Sequence, residues 1–249
     1  MDALFETSLT FIRWLQTTYL TLNGAMSAVS MIGVFELYLA LVLFVYWNVD
    51  KSQGKRLAYL LALTNVLVNG SKHLLQQPRP YWLEPDLQLE EGEGYSLPSR
   101  SVSIAFVTFF YLANWIRQQW MWVTAVVLVL LISLSRIYLG QHFLHDIAGA
   151  FLIGLLLFLG YWLWRTYAAG EFRDLILGQR FWLTVGVPIL IGGLYALIRY
   201  VMGEPDQNVA WAEFTASSEL YSLEEMVSGL AILLGLGMGF VLEGSRIRY

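Results

Sequence analysis

The sequence predicts an all-α protein, a polytopic membrane helix bundle of about seven spans (six at the fewest) with an amphipathic helix lying on the membrane at its N-terminus. Three observations carry this. Hydrophobic residues fill 57% of the 249 positions and charged residues only 14%, against about a quarter charged in a soluble domain. Apolar runs near the ~20 residues needed to cross hydrocarbon recur along the chain. Ten Trp and fourteen Tyr, many near the ends of those runs, suit the headgroup level where amphipathic rings settle. The length allows one bundle without a second large domain. Residues 1–249 therefore read as a single transmembrane domain, with an interfacial helix over 1–23, a core over 24–166 and additional C-terminal spans over 167–249.

Residues 4–22 are apolar but interrupted by Glu6, Thr7, Arg13 and Gln16, the pattern of a helix on the membrane surface or of a tilted eighth span. Spans follow at about 24–47, 56–75, 101–117, 120–138, 143–166, 181–202 and 226–243, the third being the shortest in apolar length. Small residues at Gly235 and Gly239 give the last span a GxxxG spacing suited to close helix packing. The connections alternate in charge. The stretch 50–56 is net basic, 76–98 holds Glu84, Asp86, Glu90, Glu91 and Glu93, and Arg117 marks the next turn. Arg165, Arg173 and Arg180 flank the following connection, 203–225 carries six acids and no Lys or Arg, and Arg246 and Arg248 close the sequence. Basic connections stay cytoplasmic. That places 76–98, 203–225 and the N-terminus on the non-cytoplasmic side, in what is expected to be the inner (plasma) membrane of a bacterium.

The absence of Cys excludes disulfides and Cys-ligated metals. A net charge of −4 offers no basic surface for nucleic acid, and the first residues lack the basic start of a cleaved signal peptide.

Charges within spans are costly and tend to be functional. Asn65, Asn69, Lys72 and Gln76 recur at i, i+4, i+7, i+11 and so share one helix face. His142 and Asp146 stand at i, i+4, close enough for the carboxylate to reach the imidazole. With the topology above, Lys72, Arg79, Ser99, Arg136 and His142 fall at one membrane level. Each has a bland explanation alone: Lys72 or Arg136 snorkelling to headgroups, Arg79 as a loop cation, His142–Asp146 as a helix-packing polar pair. Together, three cations, a Ser and a His–Asp pair on one face call for a bound anion.

These residues resemble the type 2 phosphatidic acid phosphatase superfamily, membrane lipid-phosphate phosphatases related to the vanadium haloperoxidases. The family's first motif, Lys, six residues, Arg-Pro, reads Lys72 to Arg79-Pro80. Its third, Ser-Arg, five residues, His, three residues, Asp, reads Ser135-Arg136, His142, Asp146. The second, Pro-Ser-Gly-His, reads Pro98-Ser99-Arg100-Ser101, with Arg for Gly and Ser for the His that protonates the leaving oxygen. The resemblance implies that Lys72, Arg79, Ser99, Arg136 and the substituted Arg100 hold the phosphate. It implies that His142 attacks phosphorus while Asp146 orients it, and that Ser101 at best relays a proton through water. It implies no cofactor or metal, because fixed cations neutralise the transferring group. The expected partners are a phosphorylated lipid, glycerolipid or isoprenoid, as monophosphate or diphosphate, and the bilayer, with no protein partner. An inactive relative that binds such a lipid or regulates a partner is the alternative. Without the second-motif acid, worth roughly 10²- to 10⁴-fold, a diphosphate should be cleaved faster than the matching monophosphate.

Overall fold

In the computed structural model, which describes residues 3–246, the chain is predominantly helical, with no strand among the described residues. The side chains of Arg173 and Arg246, and all of Arg248, lie outside that description. The helices are α1 (Ala3–Thr18), α2 (Asn23–Ile32), α3 (Phe35–Phe44), α4 (Lys51–Leu75), α5 (Pro80–Leu83), α6 (Arg100–Ile116), α7 (Gln119–Tyr138), α8 (Leu144–Leu163), α9 (Ala169–Asp174), α10 (Leu177–Met202) and α11 (Thr215–Arg246).

Four helical segments are long and apolar enough to cross a membrane: Gln119–Tyr138, Leu144–Phe172, Leu177–Met202 and Ala212–Gly244. A fifth arises if the bent pair Leu20–Ile32 and Phe35–Val49, 45° apart, counts as one span. By length and hydropathy four or five segments qualify, against the expected seven or so, and the expected spans at 56–75 and 101–117 fall outside that set for physical reasons. Helix α4 is 25 residues long, enough at 1.5 Å per residue to cross hydrocarbon, but it lies among α3, α6, α8 and α11 and spends its polar face, Asn65, Asn69, Lys72 and His73, inside the protein. Helix α6 is short at 17 residues.

Two boundaries also move. The run 24–47 breaks at Gly33, where a Cβ would come within 2.9 Å of Arg136 Nη2 and 3.0 Å of Ser101 Cβ, so the α2–α3 elbow packs directly on the site end of the bundle. The last span begins at Thr215 rather than at residue 226, because Glu219 and Glu225 face partners on α4, α6 and α10 instead of water. Helix α1 is amphipathic as expected. Its buried stripe, Leu9, Ile12 and Leu15, faces α7 and the turn at 85–87, and Gln16 Nε2 donates to Leu87 O (3.0 Å) and Tyr138 O (2.8 Å).

One large apolar core joins α1–α4 and α6–α8. Val66, Tyr195 and Met226 form a second where α10 and α11 close on α4. A third, Tyr81, Trp82 and Tyr95 with Trp211 and Phe214, ties the 76–98 connection to 203–214, with Trp82 and Phe214 stacked at 5.0 Å. Large apolar side chains on the outer faces of α8 and α10, such as Leu156, Leu190 and Val201, stay exposed, as lipid-facing positions must.

Candidate active site

The first residue to place is His142, in the five-residue link between α7 and α8. Helix α8 opens with Asp146 in its first turn, and Asp146 Oδ2 accepts the Phe143 amide at 2.7 Å, which satisfies an otherwise orphaned helix N–H. The same oxygen accepts the Ser96 hydroxyl and lies 3.4 Å from His142 Nδ1. Ser96 Oγ is 3.2 Å from that nitrogen. Carboxylate and hydroxyl together fix the Nδ1 edge of the ring and turn Nε2 away from them. Burial pushes the His142 imidazole down to about 3 from its usual 6.5, and the Arg79 and Lys72 charges add to this while Asp146 opposes it. The ring is therefore neutral and nucleophilic at neutral pH.

Around it stand three buried cations. Lys72, in the last turn of α4, donates to Tyr95 O at 2.7 Å. Arg79, just before α5, donates Nε to Gly94 O (2.7 Å), Nη1 to Gln141 O (3.0 Å) and Nη2 to Glu93 O (2.5 Å). Arg136, at the end of α7, donates Nη1 to Gln141 Oε1 (2.5 Å) and Nη2 to Ser30 O (2.9 Å), and its Nε is buried without a partner. These hydrogen-bond acceptors are all neutral, so no direct ion pair occupies the donors of the cluster.

Ser99 caps α6. Its amide donates to Asp146 O at 3.2 Å, and its hydroxyl is buried without a partner. That oxygen sits beside the cations with a donor to offer. Arg100 points elsewhere. Its Nη2 pairs with Glu225 at 3.0 Å, its Nη1 donates to Tyr221 OH at 3.4 Å, and its guanidinium lies 4.9 Å over the Phe35 ring. Ser101 faces the Gly33 elbow. The expected residues Lys72, Arg79, Ser99, Arg136, His142 and Asp146 thus converge, while Arg100 and Ser101 occupy the flank toward α11 and the α2–α3 elbow. Among the described residues, no group of three His, Asp or Glu stands so as to hold a metal.

Several participants were not foreseen. Ser96 and Gln141 sit in stretches with no spacing to mark them. Glu219 and Glu225 were visible only as members of an acidic connection. Glu219 accepts from Gln76 Nε2 (2.7 Å), Tyr95 OH (2.9 Å) and Arg199 Nη2 (2.6 Å) and lies 2.6 Å from His73 Nε2. His73 also meets the Tyr195 hydroxyl. That network faces α10 and bolts the outer half of α4 to the C-terminal helices.

Residues 53–169, which hold every converging side chain, match the family model of the PAP2 superfamily. The chain is 32% identical over 151 residues to human sphingosine-1-phosphate phosphatase 2, covering 57% of this chain and 36% of that protein. It is 29% identical over 140 residues to an undecaprenyl-diphosphatase of Sulfolobus acidocaldarius, covering 54% and 66%. With phosphatidylglycerophosphatase B of Bacillus subtilis it shares 31% over 109 residues, 39% of this chain and 54% of that one. The chain thus spans between about a third and two thirds of these curated relatives. A solved transmembrane PAP2-type phosphatidylglycerolphosphate phosphatase from Bacillus subtilis superposes with a TM-score of 0.54 at 22% identity, over 64% of this chain and 84% of that one, a likeness of fold. With its long apolar helices, the chain is an integral membrane protein, and its relatives here are named as lipid phosphatases and diphosphatases.

Proposed function

We propose that this chain removes the terminal phosphate of a membrane lipid through a phosphohistidine intermediate, without a metal. The observation that carries the proposal is a neutral, buried His142, held at Nδ1 by Asp146 and Ser96, beside three buried cations whose hydrogen-bond partners are neutral. His142 Nε2 attacks phosphorus. Lys72, Arg79, Arg136 and the Ser99 hydroxyl take the equatorial oxygens, where charge accumulates in the transition state. Asp146 stabilises the ring as it becomes cationic. Water then hydrolyses the phosphohistidine. The substrate class is a lipid monophosphate or diphosphate, reached from the non-cytoplasmic leaflet. The alternative, a lipid-phosphate binder with little turnover, draws its support from Ser101 in the position of the family's acid.

The test is phosphate release by purified protein from a panel of lipid monophosphates and diphosphates, with and without EDTA. Release should persist in EDTA and vanish in His142→Ala, which should still unfold at the wild-type temperature. Turnover by His142→Ala would remove the nucleophile from the reading. A single Cys at exposed Glu91 should be labelled by an impermeant thiol reagent from the non-cytoplasmic side, and labelling only from the cytoplasm would invert the arrangement.

A further inference from the structure

Cleavage of an alkyl phosphate leaves an alkoxide, which needs a proton, and the histidines do not supply it. His142 is the nucleophile. His73 is engaged by Glu219 and Tyr195 on the α10 side. His145 stacks on Phe143 with ring centroids 5.2 Å apart and lies 3.5 Å from Asp146 on the nucleophile's own side. In-line displacement requires the donor opposite His142.

Arg79 defines those two sides. Its Nη1 donates to Gln141 O, the residue before His142, and its Nε donates to Gly94 O. Gly94, at φ +66°, is the residue on which the Tyr221 ring packs, and a Cβ there would meet that ring at 2.7 Å. The guanidinium therefore reaches from the backbone beside the nucleophile to the backbone beneath Tyr221. On that far side, the Tyr221 hydroxyl accepts from Arg100 Nη1 at 3.4 Å and lies within electrostatic reach of Arg79. Glu225 pairs with Arg100 at 3.0 Å and accepts from Asn69 at 3.3 Å, which holds Arg100 in that position.

Resting on the phosphatase reading above, we infer that Tyr221 is the proton donor to the leaving oxygen. As the bond between phosphorus and the leaving oxygen breaks, its electron pair passes to that oxygen and the Tyr221 O–H proton follows, giving the free alcohol, phosphohistidine at His142 and a phenolate facing Arg100 and Arg79. In the second half-reaction the phenolate takes a proton from the attacking water, inorganic phosphate leaves, and Tyr221 and His142 return to their starting forms. A phenol is a weaker acid than imidazolium, and burial with the Glu225 and Glu93 carboxylates holds the Tyr221 proton more tightly still, while Arg100 opposes them; an alkoxide, more basic than the phenolate, still draws that proton across. The preference for weakly basic leaving groups expected from Ser101 is correspondingly relieved.

The experiment compares wild type and Tyr221→Phe on a long-chain alkyl phosphate and on nitrophenyl phosphate. Loss of the proton donor should reduce kcat about 10²-fold for the alkyl ester, within the range of general acid catalysis, and leave the aryl ester, whose leaving group needs no proton, nearly unchanged. Equal loss on both substrates, or loss on neither, overturns the proposal. A wild type that releases phosphate from neither defeats the phosphatase reading, and the role of Tyr221 falls with it. A second measurement does not depend on removing the hydroxyl: Tyr221→3,5-difluorotyrosine carries a more acidic phenol and should change kcat for the alkyl ester while leaving the aryl ester unmoved. An equal change on both esters, or on neither, overturns the proposal.

Discussion

Arg79 and Arg100 lie at the same end of the bundle and are held in opposite ways. The 76–98 connection surrounds Arg79 with backbone carbonyls, which fix the guanidinium and leave its charge whole. Helix α11 gives Arg100 a carboxylate, which cancels much of its charge, and a phenol oxygen that accepts from it. A cation meant for a phosphate dianion must not already be neutralised, and Arg79 meets that condition while Arg100 does not. Arg100 thus stands with its α11 partners Glu225 and Tyr221, although its place in sequence groups it with the expected phosphate ligands.

The sharpest way to break the contrast is Arg79→Lys. A point charge cannot reach the carbonyls of Gly94, Gln141 and Glu93 together, so kcat/KM for a lipid phosphate should fall by about 10²- to 10³-fold, the usual cost of losing a preorganised donor to the transition state. A loss below about tenfold would mean that charge alone suffices there. Gly33→Ala probes the other neutral cradle. Its Cβ would sit 2.9 Å from Arg136 Nη2, so KM should rise about tenfold by the loss of one charge-assisted contact, with the larger part of kcat retained. Glu225→Gln tests the neutralised side. With Arg100 restored to full charge, inorganic phosphate should inhibit about two- to fivefold more tightly, the scale of a half-exposed ion pair; unchanged inhibition would sever Arg100 from the site. The smallest effect is protonic. Because burial lowers the His142 pKa from 6.5 to about 3, its ring stays neutral as pH falls through 6, and ¹⁵N NMR of histidine-labelled protein should show one imidazole uncharged at pH 5. The same shift means that burying His142 neutral begins to cost stability below about pH 6.5, increasingly so toward 3.

Much of the catalytic set is legible in sequence because its chemistry constrains spacing. His142 and Asp146 must straddle the start of α8 within reach of each other, and Lys72 and Arg79 must bracket the end of α4. The residues that hold them are not, because they arrive through the fold. Ser96 meets His142 only after the 76–98 connection folds back, and Gln141 gives its backbone oxygen to Arg79 and its side-chain oxygen to Arg136. Hydropathy alone leaves the span count open where it stands in for burial. Helix α4 hides a polar face among neighbours, and α11 buries Glu219 and Glu225 against partners, so apolar content misjudges both. The bend at Gly33 follows from Arg136 and Ser101 needing the room of a missing Cβ, which no local pattern in 24–47 records.

The pairing of Arg100 with Glu225 also bears on how the molecule is put together in time. A polypeptide enters the membrane from its N-terminal end, so α6 is in place, with Arg100 lacking its counter-charge, while more than a hundred residues separate it from Glu225. Until α11 arrives, the half-built bundle carries an unmatched guanidinium and an open seam along α4. Removing the C-terminal helices would therefore leave an intermediate of assembly, with Asn69 and Arg100 facing lipid, in place of a smaller working enzyme.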